Sequence, residues 1–176
     1  MNVSKSAVFF VVLSLVVLAI VVLFPKNVET NLEASDFLRI HIRANSNDAS
    51  DQNIKYKIKD EIVKVVAPLL ADAVTKQQAV NIINSNINLI TTTADKILSE
   101  NGFLYKSKAC IRSEFFPTRT YDDLTLESDV YDAIIIELGT GNGDNWWCVA
   151  YPPMWDASSR ISTLNKYIPY GRFVVP

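Results

Sequence analysis

Tyr131-Asp-Ala-Ile-Ile-Ile-Glu-Leu-Gly-Thr-Gly-Asn-Gly-Asp-Asn-Trp-Trp-Cys-Val-Ala-Tyr-Pro-Pro153 decides the fold class. Side chains of a strand alternate between two faces, so Tyr131 to Leu138 puts Ile134, Ile136 and Leu138 on one side and Tyr131, Ala133 and Ile135 on the other. The first set is expected beneath helices. The second set is unusual, because an antiparallel sheet covered on one side normally turns a polar face to water, and this one is partly apolar. Gly139-Thr-Gly-Asn-Gly143 lacks the strand-to-helix setting and the Lys-Ser/Thr of a phosphate loop, and reads as a hairpin turn. Asn145 to Tyr151 is the next strand, where Trp146 and Trp147 must point in opposite directions. Only one can join a single core; the other requires a second layer, an interface or solvent.

Working outward, the same alternation recurs at Leu38, Ile40 and Ile42, separated by Arg39, His41 and Arg43, and predicts a half-buried strand. Asn45 to Ser50 breaks it with turn and cap residues. From Asp51 the apolar residues Ile54, Ile58, Ile62, Val65, Val66 and Leu69 follow helical spacing, with Lys55, Lys57, Lys59 and Lys64 largely on other faces and Pro68 placed to end or bend the helix. A capping-box pattern, Thr75-x-x-Gln78, opens a second helix carrying Val80, Ile83, Ile87, Ile90, Ala94, Ile97 and Leu98, which Asn101-Gly102 stops. Strands follow at Tyr105 to Phe116, near Arg119 to Leu126, and then the two already described. Their spacing implies hairpins. The order β-α-α-β-β-β-β predicts an α+β domain with two helices packed on one face of a mostly antiparallel sheet, preceded by an N-terminal membrane segment.

That segment is Ala7 to Phe24, which contains no charge and one polar residue, Ser14. Its 18 residues span roughly 27 Å as a helix, close to the ~30 Å hydrocarbon core of a bilayer. Residues 1–24 read as a signal-anchor or signal peptide, with no small-x-small cleavage site at Phe24-Pro25-Lys26-Asn27. Lys5 before the apolar run places the remainder outside the cytoplasm, although Lys26 opposes this. Residues 25–37 form a polar tether, 38–155 an extracytoplasmic domain, and 156–176 a segment with no assigned role. The chain of 176 residues carries 17 basic and 19 acidic residues. Setting Lys5 aside leaves the exported part at −3, which argues against nucleic acid. Cys110 and Cys148 lie in a compartment where a disulfide persists, so a bridge or two buried thiols both remain open.

No catalytic constellation emerges. His41, the sole histidine, sits on a strand beside two arginines, and the two separated cysteines give no zinc spacing. Asp122, Asp123, Asp129, Asp132, Glu137 and Asp144 read as solvated turn and strand carboxylates rather than a glycosidase pair or a calcium site. The expectation is a protein without catalysis, metal or cofactor. Tryptophans beside Asn and Asp also stack on sugar rings, which supplies an alternative reading as a cell-wall or glycan-binding module.

Arg43-Ala-Asn-Ser46, Asp51-Gln52 and Lys59-Asp60 on the first helix, Phe116-Pro-Thr118 with Tyr121, and Asn145-Trp-Trp-Cys148 before Pro152-Pro153 together resemble the stage II sporulation protein R family. The match runs from about Leu38 to Trp155, and its five motifs stand in the right order. The resemblance implies a signalling protein of endospore formation, made in the forespore and exported into the space between the forespore and mother-cell membranes. It implies as partner a membrane-embedded aspartic protease, which then processes the precursor of the early mother-cell sigma factor. Family members often have a second cysteine two residues past the double proline, where this chain has Trp155; Cys110 would have to replace it, or Cys148 is free. The expected partner surface comprises one of Trp146 and Trp147 with Phe116, Tyr121 and the Pro152-Pro153 bend, together with Arg43 and Asn45; the bland alternative is that these residues shape and fill the fold.

Overall fold

The alternation at Leu38, Ile40 and Ile42 produces strand β1, Leu38–Arg43. Helix α1, Ala49–Leu70, buries Ile54, Ile58, Ile62, Val66 and Leu70, a stripe advancing four residues at a time. Each such side chain contributes roughly 1.5–3 kcal/mol on leaving water. Pro68 lies in the last turn, and the helix ends two residues later. The computed structural model describes residues 33–121 and 124–152, together with Ser14. The apolar segment at 7–24, most of the tether, Asp122, Asp123, Pro153, Trp155 and the stretch 156–176 lie outside the described residues. Among those described, no helix is long and apolar enough to cross a membrane.

The second predicted helix is two helices, α2, Lys76–Ser85, and α3, Ile87–Glu100. Thr75 caps α2 as its spacing implies, accepting a hydrogen bond from the Gln78 N–H at 3.1 Å. Gln78 reaches back to the Val74 N–H rather than to that of Thr75. The break falls at Asn86, whose φ of −114° and ψ of 13° leave the helical region. Side chains on either side of it favour the break: Ser85 donates to the Asn81 carbonyl and Asn86 to that of Ile82. Such local bonds compete with the helical ladder. Asn101-Gly102 stops α3 as expected, with Gly102 at φ 80° and the Phe103 N–H donating to the Leu98 carbonyl.

The remaining strands are β2, Ser107–Phe116; β3, Arg119–Tyr121; β4, Leu124–Leu126; β5, Asp129–Leu138; and β6, Asn145–Tyr151. Strands β3 and β4 form a separate hairpin. The main sheet has the order β2-β5-β1-β6 and is mixed, since β1 runs parallel to β5 and antiparallel to β6. Two expectations are corrected here: three helices rather than two cover the sheet, and the Gly139–Asp144 segment does not close a β5–β6 hairpin. Strand β1 lies between the two. The segment spans two strand spacings, roughly 10 Å, and passes over the end of β1, where Gly143 N–H donates to the Ala44 carbonyl at 2.8 Å. A Cβ on Gly143 would run into the Ser46 carbonyl oxygen, so glycine is required by close approach. Gly139 and Gly141 supply the positive φ values of the crossing.

Ile134, Ile136 and Leu138 lie in the helix-covered core with Leu38, Ile40 and Ile42, as the alternation predicts. The other face carries a second core of Phe37, Phe116, Leu126, Tyr131, Ala133, Ile135 and Val149. This second layer accounts for the apolar character of the face opposite the helices and buries both sides of β1, which was expected to be half-buried. The β3–β4 hairpin and the 3-10 turn Ala34–Asp36 contribute to it.

Candidate functional site on the sheet face opposite the helices

Arg39, His41 and Arg43 form a row on the face of β1 turned from the helices, and each meets a different environment. Arg39 is fully buried. Its guanidinium lies 4.4 Å from the centre of the Phe116 ring and 4.8 Å from that of Tyr131. Nη2 donates to the Tyr121 hydroxyl at 2.6 Å and Nε to the Cys148 carbonyl at 3.3 Å. Nη1 is buried with no hydrogen-bond partner. Aromatic faces thus take the place of a carboxylate around this cation.

His41 is nearly as deeply buried. Its Nδ1 lies 2.8 Å from Glu114 Oε2 and its Nε2 2.8 Å from Asn145 Oδ1, while the ring is flanked by Phe116 and Trp147. Arg43 pairs with the other oxygen of Glu114 and, at 3.3 Å, with Glu137. Arg112 completes the lattice, 2.9 Å from Glu137 and 3.7 Å from Glu114. Burial pushes the Glu114 carboxyl up, but the His41 hydrogen bond and the charges of His41, Arg43 and Arg112 outweigh it and hold the group below the ordinary carboxylate range. Glu114 is therefore an ionised partner of arginine, a poor state for an acid catalyst. Arg112 remains substantially exposed, and Arg119 from the hairpin lies 4.4 Å over the half-buried Trp147 ring.

Beside this lattice, the loop after β1 forms a closed polar hub. Asp51 is buried at the start of α1 and accepts hydrogen bonds from Asn45 Nδ2, Ser46 Oγ and the Tyr105 hydroxyl at 2.6–2.8 Å. Burial raises its pKa, yet these three donors more than offset it and the carboxyl titrates below its usual range. Asn45 Oδ1 in turn accepts from the Thr140 N–H, which fastens the glycine-rich crossing to the hub. Gln52 donates to the Ser46 carbonyl, and Lys55 to Gln52 and to the Asp144 carbonyl.

The expected interface residues are accordingly divided. Arg43 and Trp147 lie on the open face, whereas Asn45 is consumed within the hub. Phe116 is fully buried and Tyr121 half-buried over Arg39. Trp146 points to the opposite side, against the helix-covered core, with Lys59 Nζ 5.8 Å from its ring. Both tryptophans are thus half-buried, one in each layer: Trp146 against the helix-covered core and Trp147 in the second layer that the alternation allowed for. Pro152 is buried after a cis Tyr151–Pro152 bond.

Cys110 and Cys148 are free. A bridge between them is ruled out by placement: they occupy opposite edge strands, about 14 Å apart at 4.8 Å per spacing, against a Cα limit of about 7 Å, and they face opposite sides of the sheet. Cys110 is exposed, so the reading of two buried thiols fails as well; burial pushes the Cys148 thiol up. Of the turn carboxylates, Asp132 pairs with Lys76 at 2.7 Å and Glu137 belongs to the arginine lattice. Among the described residues, no cluster of three His, Cys, Asp or Glu is placed to hold a metal ion. A recess of about 470 Å³ lies at the other end of β5, lined in part by Phe37, Leu126, Glu127 and Tyr131.

Glu114, Arg112 and Arg119 were not singled out by the sequence reading. The alternation of Lys108, Cys110, Arg112 and Glu114 along β2 was the available signal, but it gains meaning only once β2 is known to lie beside β5. Fold and site together define an α+β domain bearing a pre-organised face of ion pairs and aromatic rings. The stage II sporulation protein R family model matches residues 34–159, and the chain belongs to that family. Stage II sporulation protein R of Bacillus subtilis (strain 168) is 32% identical over 117 residues, 66% of this chain and 52% of that protein. The chain thus matches about half the length of that relative. No solved structure matches it. Membership implies a role in sporulation.

Proposed function

We propose that this protein is a non-enzymatic signal of endospore formation, exported from the forespore and held by residues 7–24 or released from them. Its target is a membrane-embedded aspartic protease that processes the precursor of the early mother-cell sigma factor. Family membership supports the pathway, and the open half of the sheet face supports the mode of action. There Arg43, Arg112, Glu114 and Glu137 are fixed in a charged lattice beside Trp147 and Arg119, a combination of rigid aromatic and arginine side chains suited to a partner contact. Tyr121 and Phe116 support this face from beneath. Activation requires tighter binding to the active arrangement of the protease than to the inactive one; a shift from 1:99 to 99:1 needs roughly 5.5 kcal/mol of difference.

The test is co-expression of the chain with the protease and its sigma-factor precursor in a non-sporulating host. Processing is expected to depend on the chain and to fall when Arg112 and Arg119 are replaced by alanine. Processing that proceeds equally well without the chain defeats the proposal. Retention on purified cell wall with no effect on processing would instead favour the glycan-binding reading.

A further inference from the structure

Strand β2 is an edge of the sheet, paired only with β5 among the described residues. Its register with β5 runs from Ser107↔Leu138 to Phe116↔Asp129 without a bulge, and the strand contains neither proline nor glycine. Every second residue along it therefore turns an N–H and a C=O outward, a ready template for another strand. Phe115 is 64% exposed and its cross-strand neighbour Val130 55% exposed, giving the edge an apolar spot.

We propose that β2 pairs with β2 of a second copy of this chain, antiparallel, about a two-fold axis at Ser113. The choice of register follows from charge and face. A two-fold normal to the sheet keeps the helices of both copies on one side and pairs odd positions with odd, even with even. An axis at Arg112 sets two arginines against each other, and one at Cys110 sets Lys108 against Arg112; like charges directly opposite are unfavourable. An axis at Ile111 pairs Lys108 with Glu114 but leaves Phe115 against Ser107. At Ser113, Arg112 faces Glu114 of the second copy and Ile111 faces Phe115 of the second copy, each contact occurring twice. The two four-stranded sheets become one of eight strands, and the exposed phenylalanines are covered.

The experiment uses the full chain in detergent, with Ser113→Cys combined with Cys110→Ser and a short bis-maleimide cross-linker. A covalent dimer is expected from this variant and none from the parent, whose Cys110 faces Phe116 across the axis. Adding Phe115→Glu should lower the dimer yield roughly tenfold, since it removes the central apolar anchor, while circular dichroism stays unchanged. Failure to cross-link through position 113, efficient cross-linking through the native Cys110, or a dimer indifferent to Phe115→Glu would each overturn the proposal. The last of these would assign association to another part of the chain.

Discussion

The Asp51 hub and the Arg112–Trp147 face lie close together along β1 and β5, yet they use their polar groups in opposite ways. In the hub every donor is turned inward: Asn45, Ser46 and Tyr105 converge on one buried carboxylate, and Thr140 is tied to Asn45. On the face, the contacts of Glu114 run from buried His41 outward to the exposed Arg112 and end at the surface. Both regions contain residues of the motifs that carry the family resemblance. A recognisable motif therefore does not by itself mark a contact surface; what separates the two is whether the side chains are already satisfied within the domain.

This contrast breaks most readily at the hub. Asp51→Ala leaves three donors without their acceptor and is expected to cost about 3 kcal/mol. For a domain of this size that lowers the melting temperature by roughly 10 °C, and protease activation should fail together with the fold. A thermal scan showing no loss would mean that the hub is not structural. Gly143→Ala comes next, at about 2 kcal/mol, because its Cβ would press on the Ser46 backbone rather than on a movable side chain. Unchanged stability there would show that the crossing loop can shift.

Much of this was legible in the sequence. The two faces of β5 and the stripe of α1 follow from local periodicity, and both cores are built on them. The position of β1 between β5 and β6 was not legible, since the spacing of two strands around a glycine-rich turn is the same whether they pair directly or admit a third strand. The division of the second helix depends on Ser85 and Asn86 turning their side chains back onto carbonyls, a choice that an apolar stripe does not reveal. In the candidate site, Arg43 and the tryptophan pair were expected, with no choice between Trp146 and Trp147, whereas Glu114, Arg112 and Arg119 required the strand order. Asn45 illustrates the converse: its polarity suggested a contact, but the hub uses it.

A smaller effect sharpens the comparison through pH. The folded-state pKa of Glu114 is depressed, so its stabilising contribution is full above the unfolded value of about 4.3 and is lost as pH falls through the folded value. Unfolding measured between about pH 6 and pH 3, a window that brackets ordinary carboxylate values, should show a steeper decline for the parent than for Glu114→Gln. Parallel declines would indicate that the lattice does not hold Glu114 in its charged form.

The smallest effect on stability belongs to the surface end of the lattice, where Arg112→Ala and Arg119→Ala remove exposed cations worth roughly 0.5 kcal/mol or less each. The double variant is therefore the most direct test of the open sheet face as the partner surface: melting temperature and sigma-factor precursor processing are measured on the same full chain. The account predicts a melting temperature within about 3 °C of the parent together with loss of processing. Full processing by the folded double variant would contradict it and place the contact elsewhere on the molecule.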